Sequence, residues 1–594
     1  MVVRMKKLTL LVSETGREEL LLKLRKLGTL HVKNVTKPSA REIGSLEGAI
    51  SQVKKTISIL ENYPIPASGK ISWGMQEIPG NAKEVVSIAG EKEEAIRNLE
   101  YVKSQIEWYR PWGSFNPEDI ERLKQKKIFV TLYRTSKGAL KKLGEKKNIH
   151  IISRDKQYAY LALICDNPDE RLPFEEIEPA RHSFDEFHKR RESLEIRLKE
   201  IESILENMAG AKDCLKNCLP KLEKKYNFLN VMHGMKEEKK FSYLRGFCPA
   251  DKVKEVVALA KAHGAGYLIE EPDEPLETPT LIRNPGWVSI INPVFKFMNT
   301  LPGYNEYDIS LWFLMFFSIF FAMLIGDGGY GLLFVALTFF ARRKLKNVRK
   351  EPFLLMYTLS FATVIWGAIT GTWFGAERIA QMPFLNALVV ERIDSFVTTN
   401  QNFMIYMCFV IGVIQLSIAH FIRAFRIINT FKALAEAGWI LTLWGLFFTA
   451  GTLVLNKPFP AFAGHFLVAG ATLVLLFSNP QKNIIKGILL SLGTIPLKIV
   501  SSFSDVVSYI RLFAVGYASL VLASTFNNMA MQVGFDNVMS GLGSALIMFF
   551  GHALNIALCL MAVIVHGIRL NMLEFSGQMG MEWSGREYNP FREK

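Results

Sequence analysis

Arg511 stands in the run SDVVSYIRLFAVGYAS, inside a stretch apolar enough to lie in a membrane. An arginine at mid-membrane costs about 2.5–3.5 kcal/mol on insertion scales. Such a residue faces water, a carboxylate or backbone carbonyls. Asp505 lies six residues earlier, on another face of the same helix, so the spacing places the counter-charge on another chain. Steps of three and four residues from Arg511 reach Ser504, Val507, Ser508, Ala514, Val515 and Ala518. Small side chains on one face permit close approach by a second helix, whether in a sliding contact or a static bundle. A second row, His552, Asn555, Cys559, Ala562, His566 and Arg569, follows the same spacing in the last apolar stretch. Polar groups aligned in a membrane helix line an aqueous path or pack on other polar groups. The bland alternative for His566 and Arg569 is snorkelling at the helix end. Glu574 reads as an interfacial charge.

Other chemistry is poorly supported. The sequence holds no GxxxxGK[ST] and no strand–GxGxxG–helix, so any ATP would be bound by another chain. No Ser/His/Asp or Cys/His arrangement stands out. Cys214 and Cys218 lie one helical turn apart, but no His or Cys cluster completes a metal set. No cofactor or metal is expected. The net charge is +15. Its excess lies beside apolar spans, which points to lipid headgroups and away from nucleic acid.

Two regimes position these residues. Charge dominates 1–275, and apolar residues dominate 310–575. The first regime reads as cytoplasmic α/β lobes, with strands at 5–12, 30–35, 127–133, 158–164, 241–247 and 266–270 and a helix at 15–29 ending at Gly28. Residues 184–226 carry Leu194, Leu198, Ile201, Leu205, Met208, Leu215, Leu219 and Leu222 at helical spacing, which predicts a coiled-coil arm. Residues 276–309 read as a linker, 310–575 as an all-α polytopic membrane domain, and 576–594 as a cytoplasmic tail. Eight candidate spans fall near 310–326, 328–342, 352–374, 402–424, 436–456, 460–478, 499–526 and 541–570. The first two are short and joined by the turn GDGGYG, with Asp327 as a helix cap. The last two are long enough to tilt, and Pro496 predicts a bend at the entry to the seventh. Basic loops at 342–350 and 423–432, Lys482 with Lys486, and a tail carrying Arg586, Arg592 and Lys594 place both termini in the cytoplasm by the positive-inside rule.

SYIRLFAVGYAS with Arg511, VHGIRLNMLEF with Arg569, GDGGYG, TGTWFG and YNPF (Tyr588–Phe591) together resemble the a/I subunit of V-type and archaeal-type rotary ATPases, in a bacterial-like form. The resemblance covers essentially the whole chain. It implies a non-catalytic stator that forms two offset ion half-channels against a rotor ring of subunits, each with a buried carboxylate. Arg511 would favour the ionised carboxylate as it passes and block leakage between the half-channels. Ion translocation would then rest on Arg511, Arg569, Ser504, Ser508, His552, Asn555 and His566. Further implied partners are peripheral-stalk subunits, the central-stalk rotor cap subunit and membrane lipids. Eukaryotic members carry a glutamate and a histidine where this sequence has Cys559 and Ser519, so their proton relay does not transfer. A secondary transporter would call for internal repeats, which are not apparent. A membrane-anchored scaffold leaves Arg511 without a purpose.

Overall fold

The computed structural model of the chain describes residues 1–38, 40–64, 71–136, 148–155, 157–167, 170–178, 182–238, 240–346, 348–478 and 484–593. Lys482 and Lys594, two of the residues used to orient the chain, lie outside the described residues. Strand β1 (Met5–Ser13) buries Leu8, Leu10 and Val12 on one face, as period-two alternation requires. Helix α1 (Arg17–Leu27) stops at Gly28, whose φ of 63° suits glycine, and β2 (His31–Lys33) follows. Two long helices come next, α2 (Arg41–Glu61) and α3 (Ile78–Tyr109), then α4 (Pro117–Gln125). Strands β3 (Phe129–Ser136), β4 (Ile149–Arg154), β5 (Tyr158–Cys165) and β6 (Glu175–Ile177) form an antiparallel sheet in the order β4-β5-β3-β6. Helices α5 (Phe184–Met208) and α6 (Lys212–Gly234) lead back to β7 (Lys236–Glu238), β8 (Phe241–Pro249), α7 (Val253–Ala262) and β9 (Gly266–Glu270).

The first lobe is therefore built from both ends of this half. Its sheet runs β2-β8-β1-β9, with β7 on β8. The second sheet is an insertion carried between the helices. A capping box starts α5, with Ser183 and Glu186 satisfying each other's backbone N–H groups. The expected single arm over 184–226 is two helices, divided by a buried 3-10 turn at Ala209–Ala211. These small residues allow the chain to tighten there. Helix α3 packs on α5 and α2 on α6, around Val53, Leu60, Val85, Ile201, Leu205 and Leu215.

The segment read as a linker is partly folded. It carries strand β10 (Pro279–Thr280) and a short helix, α8 (Asn292–Met298), whose Phe295 enters the apolar core of the second half. That half opens with α9 (Ser310–Ile325) and α10 (Gly328–Lys344), bent through 118°. At 1.5 Å per residue each is only about 24–26 Å long, short of a ~30 Å hydrocarbon core. Then come α11 (Glu351–Thr370), α12 (Gln401–Arg426), α13 (Lys432–Leu455), α14 (Ala461–Phe477), α15 (Ile484–Ser508), α16 (Ile510–Val533) and α17 (Val538–Ala562). Among the described residues, five stretches are long and apolar enough to cross a membrane, the last two being Ile495–Val533 and Val538–Met579. Pro496 lies inside α15, which begins before it, so the helix does not start at that proline.

Past Met579 the chain returns to the first lobe. Strand β11 (Arg586–Glu587) pairs in parallel with β10. Asn589 donates its N–H to His31 Nδ1 at 3.0 Å, and Phe591 donates to the Leu30 carbonyl at 2.8 Å. The Phe591 ring joins the lobe core and stacks near Phe228. The end of the chain thus packs on the lobe that its beginning forms.

Helix α14, of 17 residues, runs back along α13: Gly445 abuts Leu467, Gly438 abuts Leu473, and Phe431 stacks on Phe477 near the starting end of α13. Arg426, at the end of α12, donates to the Asn305 carbonyl at 3.1 Å and covers the Tyr307 ring, which sets the start of α9 beside the end of α12.

Candidate functional site

Tyr509 breaks the span expected to be one helix over 499–526. Its N–H bonds the Val506 carbonyl, and its own carbonyl receives the Leu512 N–H, both at the tighter i→i+3 spacing. Arg511 therefore sits in the first turn of α16. The Tyr509 hydroxyl donates to Gln415 Oε1 at 2.7 Å, and Gln415 Nε2 donates to Asn571 Oδ1 at 2.9 Å. All three side chains are fully buried. A buried polar chain of this kind fixes geometry because each group has its partner. It ties α12 to the break before Arg511 and to the segment after Arg569.

That segment is not α-helical. Val563–Gly567 and Leu570–Phe575 are π-helical. An i→i+5 ladder brings residues five apart onto one face, and Arg569 and Glu574 are five apart. Arg511 Nη2 meets Glu574 Oε1 at 2.7 Å, while Arg569 Nε lies 3.7 Å from the same oxygen. Arg511 Nε donates to the Ser508 carbonyl at 2.9 Å. The Glu574 side chain is 4% exposed. Two expectations are thereby corrected. The counter-charge of Arg511 lies in its own chain, and Glu574 is a buried ion-pair partner, not an interfacial charge. The first expectation seeks a partner only on Arg511's own helix; the second ends the last helix at Leu570, where a π turn instead carries it on to Phe575.

Two polar clusters flank this pair. Toward the end where the basic loops lie, Asp505 Oδ2 accepts from Gln578 Nε2 at 2.6 Å. Gln578 Oε1 lies 3.1 Å from His420 Nε2, His420 Nδ1 is 2.6 Å from Glu436, and Glu436 pairs with Arg423 at 3.0 Å. Toward the opposite end, the Cys559 thiol donates to Ser519 Oγ at 3.1 Å, and Asn555 donates to the Tyr330 hydroxyl and the Ser519 carbonyl. His552 bridges Tyr330 at 2.7 Å and Asn527 at 3.1 Å. Ser519 and Asn527 are about 12 and 24 Å beyond Arg511 along α16.

The sequence-selected residues thus divide. Arg511, Arg569 and Glu574 converge, whereas the buried His566 Nδ1 has no hydrogen-bond partner among the described residues. Ser508 contributes its backbone carbonyl. Ser504 is exposed and makes no contact with the pair among the described hydrogen bonds. His552 and Asn555 belong to the far cluster. Asp505, Gln578, His420, Glu436, Arg423, Tyr330, Asn527 and the Gln415 chain were not selected. They are scattered over six helical segments, with no shared spacing to reveal them.

The glycine motifs, read separately in the sequence, form one brace. Asp327 Oδ1 accepts the N–H groups of Gly329, Tyr330 and Phe374, and Oδ2 accepts that of Gly375. A Cβ on Gly367 would stand 2.0 Å from the Gly328 nitrogen. A Cβ on Gly516 would stand 2.3 Å from the Met323 carbonyl oxygen, so α9 lies directly against α16. On the opposite face of α16, Ala514 and Ala518 are exposed, as is Ser504 before the break.

No family model matches the sequence. Among curated proteins, the chain is 31% identical to the V-type ATP synthase subunit I of Borreliella burgdorferi, covering 100% of this chain and 99% of that one. It is 28% identical to V-type ATP synthase subunit I 1 of Treponema pallidum over the full length of both. The A-type ATP synthase subunit I of Methanocaldococcus jannaschii matches at 27% over 59% of this chain and 55% of its own. Among solved structures, the cytoplasmic N-terminal domain of a V-ATPase subunit I aligns over 44% of this chain and 99% of its own, at 14% identity. Its TM-score of 0.24 is too low to bear on the fold.

Proposed function

The chain belongs to the V-type ATP synthase subunit I family, and from that premise we propose that it is the stator that conducts ions, H⁺ or Na⁺, past a rotor ring in the membrane. The observation that carries this reading is the Arg511–Glu574 pair between two polar clusters that lie toward opposite ends of the same helices. Each cluster supplies polar groups for one half-channel, and the guanidinium separates them. As a rotor carboxylate comes abreast of Arg511, charge attraction favours its ionised form, so its ion leaves into one half-channel. Arginine suits this task because it stays protonated at any working pH. His552 and Asn555 belong to the half-channel remote from the basic loops, and Asp505, Gln578 and His420 to the one beside them.

The exposed Ala514 and Ala518 make a smooth face on which the ring turns. Ser504 continues it past the break. Helix α16 and the long stretch ending at Met579 tilt along the ring, since either exceeds the membrane thickness. The basic-loop side is cytoplasmic. There the lobes and paired helices of residues 1–275 bind peripheral-stalk subunits and face the central-stalk rotor cap, resisting torque. ATP is bound by other subunits.

Photo-crosslinking from position 514 or 518 in the assembled complex tests the geometry. The expected product joins this chain to the small ring-forming subunit. Products with lipid alone would contradict a rotor-facing surface.

A further inference from the structure

The pairing of Arg511 with an internal carboxylate raises a problem that the rotary reading must solve. A guanidinium committed to Glu574 at 2.7 Å is already neutralised within the chain. The pair is largely out of water, with Glu574 4% and Arg511 21% exposed, so its Coulomb energy is little screened. Removing one partner from such a pair is costly, because the other charge is left buried. A rotor carboxylate must therefore compete with Glu574 for Arg511.

Three features equip Glu574 for exchange. Its second oxygen, Oε2, is buried and has no hydrogen-bond partner among the described residues, so half of its bonding capacity is open. Arg569 stands 3.7 Å from Oε1, a second cation ready to take the charge, and its side chain is 54% exposed and free to approach. The π turn that carries Glu574 and begins next to Arg569 is anchored by Asn571 to Gln415, and through Gln415 to Tyr509, which fixes the backbone between the two residues.

We propose that Glu574 is a resident counter-ion that holds Arg511 between rotor carboxylates and transfers to Arg569 while a rotor carboxylate occupies the Arg511 guanidinium. The inference rests on the rotary reading above. In it Glu574 is a positioning residue. It weakens Arg511's hold on each passing carboxylate, so that the carboxylate can leave again. No bond is made or broken in this exchange; only ion pairs are traded.

The test uses the whole ATPase complex reconstituted in vesicles, with ATP-driven ion uptake followed across pH. Glu574→Gln keeps the volume and removes the charge. Arg511 then holds rotor carboxylates too tightly, and uptake is expected to fall at least tenfold. Because the ionised carboxylate is favoured more strongly, the pH profile of the residual uptake should move toward acid. Glu574→Asp, which restores the charge, should recover much of the rate. Wild-type uptake with an unmoved profile in Glu574→Gln overturns the inference, as does equal loss in the Gln and Asp variants, which marks a packing role. If Glu574→Gln does not assemble, Glu574→Asp decides. Its longer reach to Arg511 weakens the resident pair, so a displaced profile supports the exchange and an unmoved one refutes it. Arg511→Ala run alongside separates the two levels. If that variant still pumps, the rotary reading fails and this inference with it; if only Glu574→Gln pumps normally, the inference alone fails.

Discussion

At the scale of single residues, the site is a set of buried groups whose partners come from distant parts of the chain. Gln415 shows this most clearly. It connects Tyr509, two residues before Arg511, to Asn571, two residues after Arg569. Gln415→Leu would leave the Tyr509 hydroxyl without an acceptor and Asn571 Oδ1 without a donor, while Asn571 Nδ2 keeps the Gly567 carbonyl. At about 1–3 kcal/mol for each of the two buried unsatisfied groups, the loss should be about 2–6 kcal/mol. Thermal unfolding of the purified subunit in detergent measures it, and an unchanged midpoint would show that the three side chains find other partners. Arg511 itself was legible from its sequence alone, because a charge in an apolar run is conspicuous. Glu574 was not. The five-residue interval to Arg569 points to different faces under the α period, and nothing in VHGIRLNMLEF announces a π turn.

At the scale of elements, two devices hold the site. The first is the Asp327 brace, where one carboxylate satisfies four backbone N–H groups from two glycine motifs. Asp327→Ala strands those donors, and an expected loss of about 3 kcal/mol or more follows. Gly367→Ala should be at least as harmful, because its Cβ would overlap the Gly328 backbone. Expression and protease resistance of the variants check both; well-folded Gly367→Ala would contradict the close approach. Each motif was readable as a turn, but their contact was not, since forty residues or so of intervening chain carry no pairing signal. The second device is the tail. Burial lowers the pKa of His31, and its Nδ1 accepts from Asn589. The docked state thus favours the neutral ring. Docking should be strongest above the ordinary histidine value near 6.5 and weaken as pH falls through that value toward the lowered one. Amide exchange at Asn589 and Phe591 should accelerate over that window, and His31→Gln should abolish the pH dependence.

At the scale of the whole molecule, the chain closes on itself. Its last residues complete the lobe built by its first, so movement of the apolar helices is mechanically tied to the first half of the chain. Removing the segment from Arg586 onward exposes the pocket of Phe591, a loss of about 1.5–3 kcal/mol for one large apolar side chain. The first lobe should then melt earlier, seen as faster amide exchange at Leu30 and Leu24; unchanged protection would make the strap an accessory. Alternation along 5–12 and the apolar stripe of 184–226 were visible in the sequence because local periodicity encodes them. The pairing of β1 with β8, the insertion of the second sheet and the return of the tail are contacts across hundreds of residues, which periodicity does not record. The central claim is that Arg511 couples ion movement to rotation. ATP-driven ion uptake by vesicles holding the assembled Arg511→Ala complex tests it most directly. The expected result is an intact complex with no uptake, whereas uptake that remains coupled to ATP hydrolysis would contradict the account.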